Sequence, residues 1–338
     1  MYKHPVYLIK LRIVVLYTYG GKEMKRVVIF GGGSGLSQLL KGIIQFPMDV
    51  TAVVSVSDNG ASTGRLREEF AIPAVGDITK VLMAMSGESK GVKELFNYRF
   101  PKDSSIGNHS IKNLIMTALL DMKGNFAHSL PILCDLLDVK GKLLPLTEDN
   151  VDLIGITKEG EEIIGEAEIT ESKRIIKDLK YNKKVTVTPR VLEEIKKADL
   201  IIFSSGSLLT SVMPHIIVPE IQEAINNSKA KTMYICNMLT QPGETDNFKV
   251  SDHIKVIEKY LGKKSVDVVI ANNSTIPNNM ALLAKSEGKD SVEIDLDKLE
   301  KMGVQVLAEK LFKVEEGYVR HNSLKTAYLI FSYLMEGE

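Results

Sequence analysis

The stretch from Arg26 to Ile44 constrains the fold most. Val27-Val28-Ile29-Phe30 is a short apolar run rich in β-branched residues, and Gly31-Gly32-Gly33-Ser34-Gly35 follows at once. Leu36, Leu39, Leu40, Ile43 and Ile44 then recur at i, i+3, i+4, i+7 and i+8, the apolar stripe of an amphipathic helix. The spacing predicts a buried strand, a glycine turn and a helix whose first unpaired N–H groups face that turn. Such an end attracts anions, phosphate above all, and bare glycine backbone lets a pyrophosphate lie close. The dinucleotide fingerprint G-x-G-x-x-G is not met, because Leu36 or Gln38 stands where its last glycine belongs. No Gly-Lys-Ser/Thr follows either, so the run is not a P-loop. A glycine turn that only lets helix pack on strand is the competing reading.

Strand-like apolar runs alternate with helical stripes through most of the chain. That alternation predicts an α/β fold, Rossmann-like and doubly wound, with a mostly parallel sheet. Val50 to Val56 reads as a second buried strand opening onto a dense polar segment, Ser57 to Arg67. There Asp58, with Asn59 beside it, suits a ribose or base hydroxyl or a cation. Ser62, Thr63 and the Gly64 backbone can donate to phosphate, and Arg65 and Arg67 can neutralise it. An Asx turn with capping hydroxyls and solvated arginines is the alternative. Asp77, after Gly76, suits a helix N-cap and equally a cation or phosphate contact, so Asp58 and Asp77 are the metal candidates. Arg99 lies between aromatics in Phe96 to Pro101, the setting of a clamped or stacked guanidinium. His109 and Asn113, at i and i+4 around a helix start at Ser110, are expected on one face.

Further strands, Leu200 to Phe203 and Thr232 to Cys236, open onto polar loops carrying Gly206, Ser207 and Thr210, and Asn237, Thr240 and Gln241. These strand-end loops are expected to converge on one carboxyl-terminal rim, where open parallel sheets bind ligands. Residues 24–338 read as a single domain. Within it, 125–187 is expected as an inserted or lateral lobe outside the central sheet, with a β-hairpin around Lys158 to Glu161. Glu171 to Lys184 is charged and weakly patterned. His253 is expected at the surface, and Asn322 to Met335 as a peripheral helix aligning Leu324, Tyr328, Phe331 and Met335. Residues 1–23 read as an N-terminal extension outside the fold, with Met24 the natural start.

Composition excludes several classes. The 43 basic and 43 acidic residues cancel, and there is no tryptophan, so neither charge nor stacking favours nucleic acid. The six histidines show no zinc-ligand spacing. Cys134 and Cys236, far apart in apolar surroundings, fit buried thiols of a reducing compartment. Lys10 and Arg12 interrupt the apolar run from Val6 to Tyr19, leaving no uninterrupted span of about 20 residues for membrane insertion. A cytoplasmic protein is expected.

Several of these pieces together carry a resemblance. They are Gly31 to Leu36, Asp58-Asn59-Gly60 through Gly64-Arg65-Leu66-Arg67, Gly76-Asp77-Ile78, Tyr98-Arg99-Phe100, His109-Ser110 with Asn113-Leu114, Gly206-Ser207-Leu208 with Thr210-Ser211, and Cys236-Asn237 through Asp246. In this order they resemble the YvcK-type gluconeogenesis factor family, which shares a CofD-like fold with the 2-phospho-L-lactate transferases of deazaflavin cofactor synthesis. The resemblance implies a cytoplasmic regulatory protein that binds a nucleotide diphosphate compound, a UDP-sugar in the bacterial branch. It also implies a role in growth on gluconeogenic carbon sources and in cell shape and cell-wall morphogenesis. Under that reading Gly31, Gly32, Gly33, Ser34 and Gly35 take the diphosphate, Asp58 and Asn59 the ribose or a cation, and Ser207, Thr210 and Asn237 the rest of the nucleotide.

The alternative is a transferase moving a phospholactyl group from a nucleotide diphosphate donor. Asp58 or Asp77 would then hold Mg2+, Arg65 and Arg99 would meet phosphate charge, and His109 would donate a proton. Thr79-Lys80 stand where relatives often carry Arg-Asn, and Asn108 and Lys112 where glycines are usual. These departures beside an anion site bear on turnover more than on binding, so binding without turnover is expected. No cofactor beyond a divalent cation accompanying the nucleotide is expected. A homo-oligomer and a protein partner of cell-wall synthesis accord with the reading.

Overall fold

Short, almost wholly apolar strands build the centre of the molecule, as buried parallel strands must. The computed structural model describes residues 24–315 and 317–336, so the expected extension at 1–23 lies outside the described residues. In chain order the strands are β1 (Arg26–Gly31), β2 (Asp49–Val54), β3 (Lys142–Pro145), β4 (Leu153–Thr157), β5 (Glu162–Ile164) and β6 (Ile176–Tyr181). They continue with β7 (Leu200–Phe203), β8 (Lys231–Ile235), β9 (Val268–Asn272), β10 (Gln305–Glu309), β11 (Phe312–Glu315) and β12 (Tyr318–His321). One 7-stranded sheet has the order β10-β9-β8-β7-β1-β2-β3. Every neighbouring pair in it is parallel.

Alternate residues of β1 serve opposite cores. Val27 and Ile29 share one with Leu36, Leu40 and Ile43 of the Gly33–Ile43 helix. Val28 and Phe30 share the other with Phe203, Val212 and Ile216. Each such fully buried side chain contributes about 1.5–3 kcal/mol. Helices therefore cover both faces, which is the doubly wound α/β arrangement expected. The chain runs outward from β1 through β2 to β3, then returns to the other side of β1 for β7 to β10. The order reverses between β1 and β7, and crevices open at such a reversal.

Four details differ from the sequence expectation. Residues 142–145 pair with Thr51 to Val54, so the 125–187 segment supplies an edge strand of the central sheet. Outside that sheet lies a smaller antiparallel one, β5-β4-β6, with the expected hairpin β4–β5. Its third strand, β6, was hidden by charge: Lys177 and Lys180 point outward while Leu179 is buried. The helix Ser323–Glu336 turns Thr326, Ala327, Ile330 and Leu334 inward and leaves Leu324 and Tyr328 exposed, its start lying against the Gly33–Ile43 helix where a Cβ on Gly42 would stand 2.1 Å from the Ser323 carbonyl oxygen.

His253 is wholly buried. It occupies the inward stripe of the Val250–Leu261 helix with Val250, Ile254 and Ile257, between Tyr234 and Phe248. Both cysteines are free thiols, Cys236 buried and Cys134 half-buried. Among the described residues no helix is long and apolar enough to cross a membrane.

Candidate functional site at the carboxyl-terminal rim

The Gly33–Ile43 helix begins inside the glycine run, with extended Gly32 as its N-cap and no acid in its first turn. Gly33 sits at φ +55, a backbone conformation that suits glycine. At Gly35 a Cβ would stand 1.9 Å from the Ser205 carbonyl oxygen, so this glycine lets the loop after β7 close onto the helix. Gly31 is buried at the end of β1 against Ser204. Packing and exposed backbone thus divide the glycines between the two readings of the turn.

Asp77 faces the turn, its Oδ2 2.7 Å from where a Cβ on Gly32 would be. It lies in the first turn of the Gly76–Met85 helix, whose N-cap is Val75, so Asp77 is not the cap. Its partner is Lys80, one helical turn on, at 3.0 Å. Although burial disfavours the charge, Asp77 holds the Lys80 ammonium above its usual range. Asp58 closes an Asx turn by accepting from the Gly60 N–H at 2.9 Å. Burial and then Asp77 push the Asp58 carboxyl up, while the Gly60 amide and the Thr63 hydroxyl pull it down. Glu166, at the start of the Glu166–Ser172 helix, is pushed well up by burial, Asp77 and Asp58. Carboxylates therefore outnumber the cation among them.

The arginines expected at phosphate are engaged elsewhere. Arg67 is buried and donates to Asn150 Oδ1, to the Val151 carbonyl at 3.0 Å and to Asp152 at 3.0 Å. Arg65 donates to the Gly107 carbonyl. Asn59 docks the small sheet's helix, donating to Glu168 at 2.7 Å and accepting from the Ala167 N–H at 3.0 Å. Gly64 packs against the Asn59 carbonyl, just ahead of its own helix. Arg99 donates to the Asn108 carbonyl, and its flanking rings, Tyr98 and Phe100, meet each other edge-on without sandwiching it. His109 and Asn113 do converge, on Ser62, at 2.9 Å and 3.4 Å. They meet through that hydroxyl and not as helical neighbours, because His109 precedes the Ser110 N-cap.

Across the rim, Asn237 clamps the loop after β7. Its Oδ1 accepts from the Gly206 N–H at 3.0 Å, and its Nδ2 donates to the Gly206 carbonyl at 2.6 Å and to Gln241 Oε1 at 3.3 Å. Ser207 accepts from the Thr210 N–H at 2.9 Å, which buries Thr210 inside the turn. Thr240 is tied to the Asp290 backbone at 2.8 and 2.9 Å. Ser34, Gly35, Gly206, Ser207, Asn237, Thr240 and Gln241 line one cleft of about 310 Å³ at the β1/β7 reversal. A second cleft, of about 490 Å³, adjoins it and shares Ser34, Gln38 and Arg320.

Residues 27–312 match the family model described as 2-phospho-L-lactate transferase CofD. The chain belongs to the CofD family. It is 37% identical over 315 residues to the gluconeogenesis factor of Bacillus subtilis, covering 93% of this chain and 99% of that one. The gluconeogenesis factor of Halalkalibacterium halodurans is 38% identical over 309 residues, 91% of this chain and 96% of its own. A crystal structure of a Bacillus halodurans protein superposes with a TM-score of 0.88 at 36% identity, covering 91% of this chain and 100% of that one.

In this CofD-family chain the motifs missed part of the cleft wall. Gln38, a buried polar residue inside the first helix's apolar stripe, donates to the His321 carbonyl at 3.1 Å. Its polarity at a buried position was the available signal. Arg320 and His321 come from the β11–β12 hairpin, which no motif marks. Glu166 and Glu244 also escaped, because their roles depend on contacts far away in the chain. Lys80 went unread as well, although its i+3 spacing to Asp77 was an available signal.

Proposed function

We propose that this CofD-family chain is a cytoplasmic regulatory protein of the gluconeogenesis factor type that binds a UDP-sugar at the rim. The observation that carries the reading is the cleft at the β1/β7 reversal, which gathers a helix N-terminus with no acid in its own first turn, the Ser207 turn and the Asn237 clamp. Backbone amides there suit a diphosphate, and the cleft beyond them suits nucleoside and sugar. Growth on gluconeogenic carbon, cell shape, a homo-oligomer and a protein partner in cell-wall synthesis belong to the same reading.

Asp58 and Asp77 fit a divalent cation accompanying the diphosphate, because burial and then the Asp77 charge push the Asp58 carboxyl up and a cation held beside them would relieve it. When bound, Mg2+ would neutralise phosphate charge. Titration calorimetry with UDP-N-acetylglucosamine, UDP-glucose and GDP tests the proposal. Saturable heat with the uridine compounds, lost in Asn237→Ala, supports it; heat with GDP alone overturns it.

One observation favours the transferase reading. His109 Nδ1 lies 2.9 Å from Ser62 Oγ, and burial, with Arg65 and Arg99, lowers the imidazole pKa and so favours the neutral ring. A neutral imidazole beside a hydroxyl can move a proton. Mass spectrometry of deazaflavin acceptors incubated with nucleotide diphosphate donors decides it: a product dependent on His109 establishes turnover, and no product removes this reading.

A further inference from the structure

The 490 Å³ cleft beside the nucleotide groove gathers Lys41, Lys80, Lys93, Lys112 and Arg320 against a single carboxylate, Glu315. The cations arrive from separate elements: the Gly33–Ile43, Gly76–Met85, Lys90–Asn97 and Ile111–Lys123 helices and β12. Two of them rest on neutral oxygens. Lys93 Nζ donates to the Ser86 carbonyl at 2.8 Å, and Lys112 Nζ to Asn97 Oδ1 at 2.6 Å. Lys80 alone in the cluster has a carboxylate at ion-pair distance among the described residues, and that is Asp77 at the glycine turn.

Like charges gathered in a groove repel, and the groove's walls concentrate their field on whatever enters. Lys112 registers the strain: burial, then Lys80 and Arg99, push its pKa down to about 8. An anion in the cleft would relieve all of these cations at once. Because Ser34, Gln38 and Arg320 line both clefts, one ligand can lie across the two.

We propose that the lysine cleft is a second anion subsite, binding a phosphoryl or carboxylate group carried at the distal end of the nucleotide diphosphate ligand. The proposal rests on the nucleotide-binding reading above and adds the ligand class, a nucleotide sugar whose sugar is itself charged. A neutral sugar would leave the cations unmatched.

Titration calorimetry on the full chain with UDP-glucose, UDP-glucuronate and inorganic phosphate tests it. UDP-glucuronate should bind about tenfold more tightly than UDP-glucose, the gain of charge-assisted contacts. That ratio should fall toward one in Lys112→Gln and in Lys93→Gln, two changes at half-buried positions that keep a polar side chain able to donate. Inorganic phosphate should erode the glucuronate advantage without displacing UDP-glucose. Phosphate that binds alongside UDP-glucuronate would show a separate anion and overturn the distal-group assignment. Equal affinities for the two sugars, with no phosphate binding, overturn the subsite. If neither UDP compound binds but phosphate does, in a Lys112-dependent way, the nucleotide reading fails and the anion subsite survives. If nothing binds, both fall.

Discussion

Ser207 Oγ stands 2.8 and 2.6 Å from the two carboxylate oxygens of Glu244, joining the loop after β7 to the loop after β8. Glu244 also accepts from the Leu209 N–H at 3.3 Å, so one carboxylate organises the start of the 207–212 turn. Replacing Glu244 by Ala strands the hydroxyl and the amide. We expect a loss of about 2–3 kcal/mol in urea unfolding and weaker UDP-sugar binding, since the turn that carries Ser207 into the cleft then loses its brace. A variant as stable as the parent would show that other contacts hold this turn.

Glu166 makes stability depend on pH, and the sign follows from its environment. Burial, Asp77 and Asp58 push its folded pKa well above the ordinary carboxyl value of 4.5. The folded chain therefore keeps a proton that the unfolded chain releases. That contribution is fully present below pH 4.5 and is lost as pH rises through the folded value. Thermal melts taken upward from pH 4.5 should show the parent falling relative to Glu166→Gln, which has no proton to lose. Parallel profiles for the two proteins would place the charge strain elsewhere.

What was legible in the sequence were features with a local period or a local turn. The β1–glycine–helix unit announces itself because Leu36, Leu39, Leu40 and Ile43 repeat at helical spacing directly behind five turn residues, and all four are buried. The convergence of loops follows from strand–helix alternation, which leaves little topological choice. What was illegible depends on partners remote in the chain. Nothing near Arg67 marks Asn150 and Asp152 as its partners, and nothing near Asn59 marks Glu168. A charged, exposed face hid β6, and a polar member of an apolar stripe made His253 look solvated.

Arg67 tests that distinction directly. Its guanidinium fork ties the helix Ala61–Phe70 to Asn150, Val151 and Asp152 at the root of the small sheet. Lysine cannot reproduce a fork, so Arg67→Lys should cost about 1–3 kcal/mol of stability and raise hydrogen exchange in β4 and β6. UDP-sugar affinity should hold. An affinity loss with unchanged stability would return Arg67 to the phosphate role its sequence position suggests.

His321 supplies the sharpest test of the cleft. It lines the wall at 9% exposure, and neither ring nitrogen is paired at full hydrogen-bond geometry among the described residues, the Cys236 backbone being its polar neighbour. The Gln38 side chain fixes its backbone, donating to the carbonyl at 3.1 Å. Burial pushes the imidazole pKa down to about 4, so at neutral pH the ring offers one donor and one acceptor. An unpaired buried polar group costs about 1–3 kcal/mol, and a ligand hydroxyl or amide that met it would recover much of that. His321→Phe should therefore weaken UDP-sugar binding by roughly tenfold in calorimetry while leaving the ligand-free melting temperature equal or higher. Binding that is unchanged, with a lower melting temperature, would mean that the ring serves packing and that the ligand lies nearer the Asp77 side of the turn.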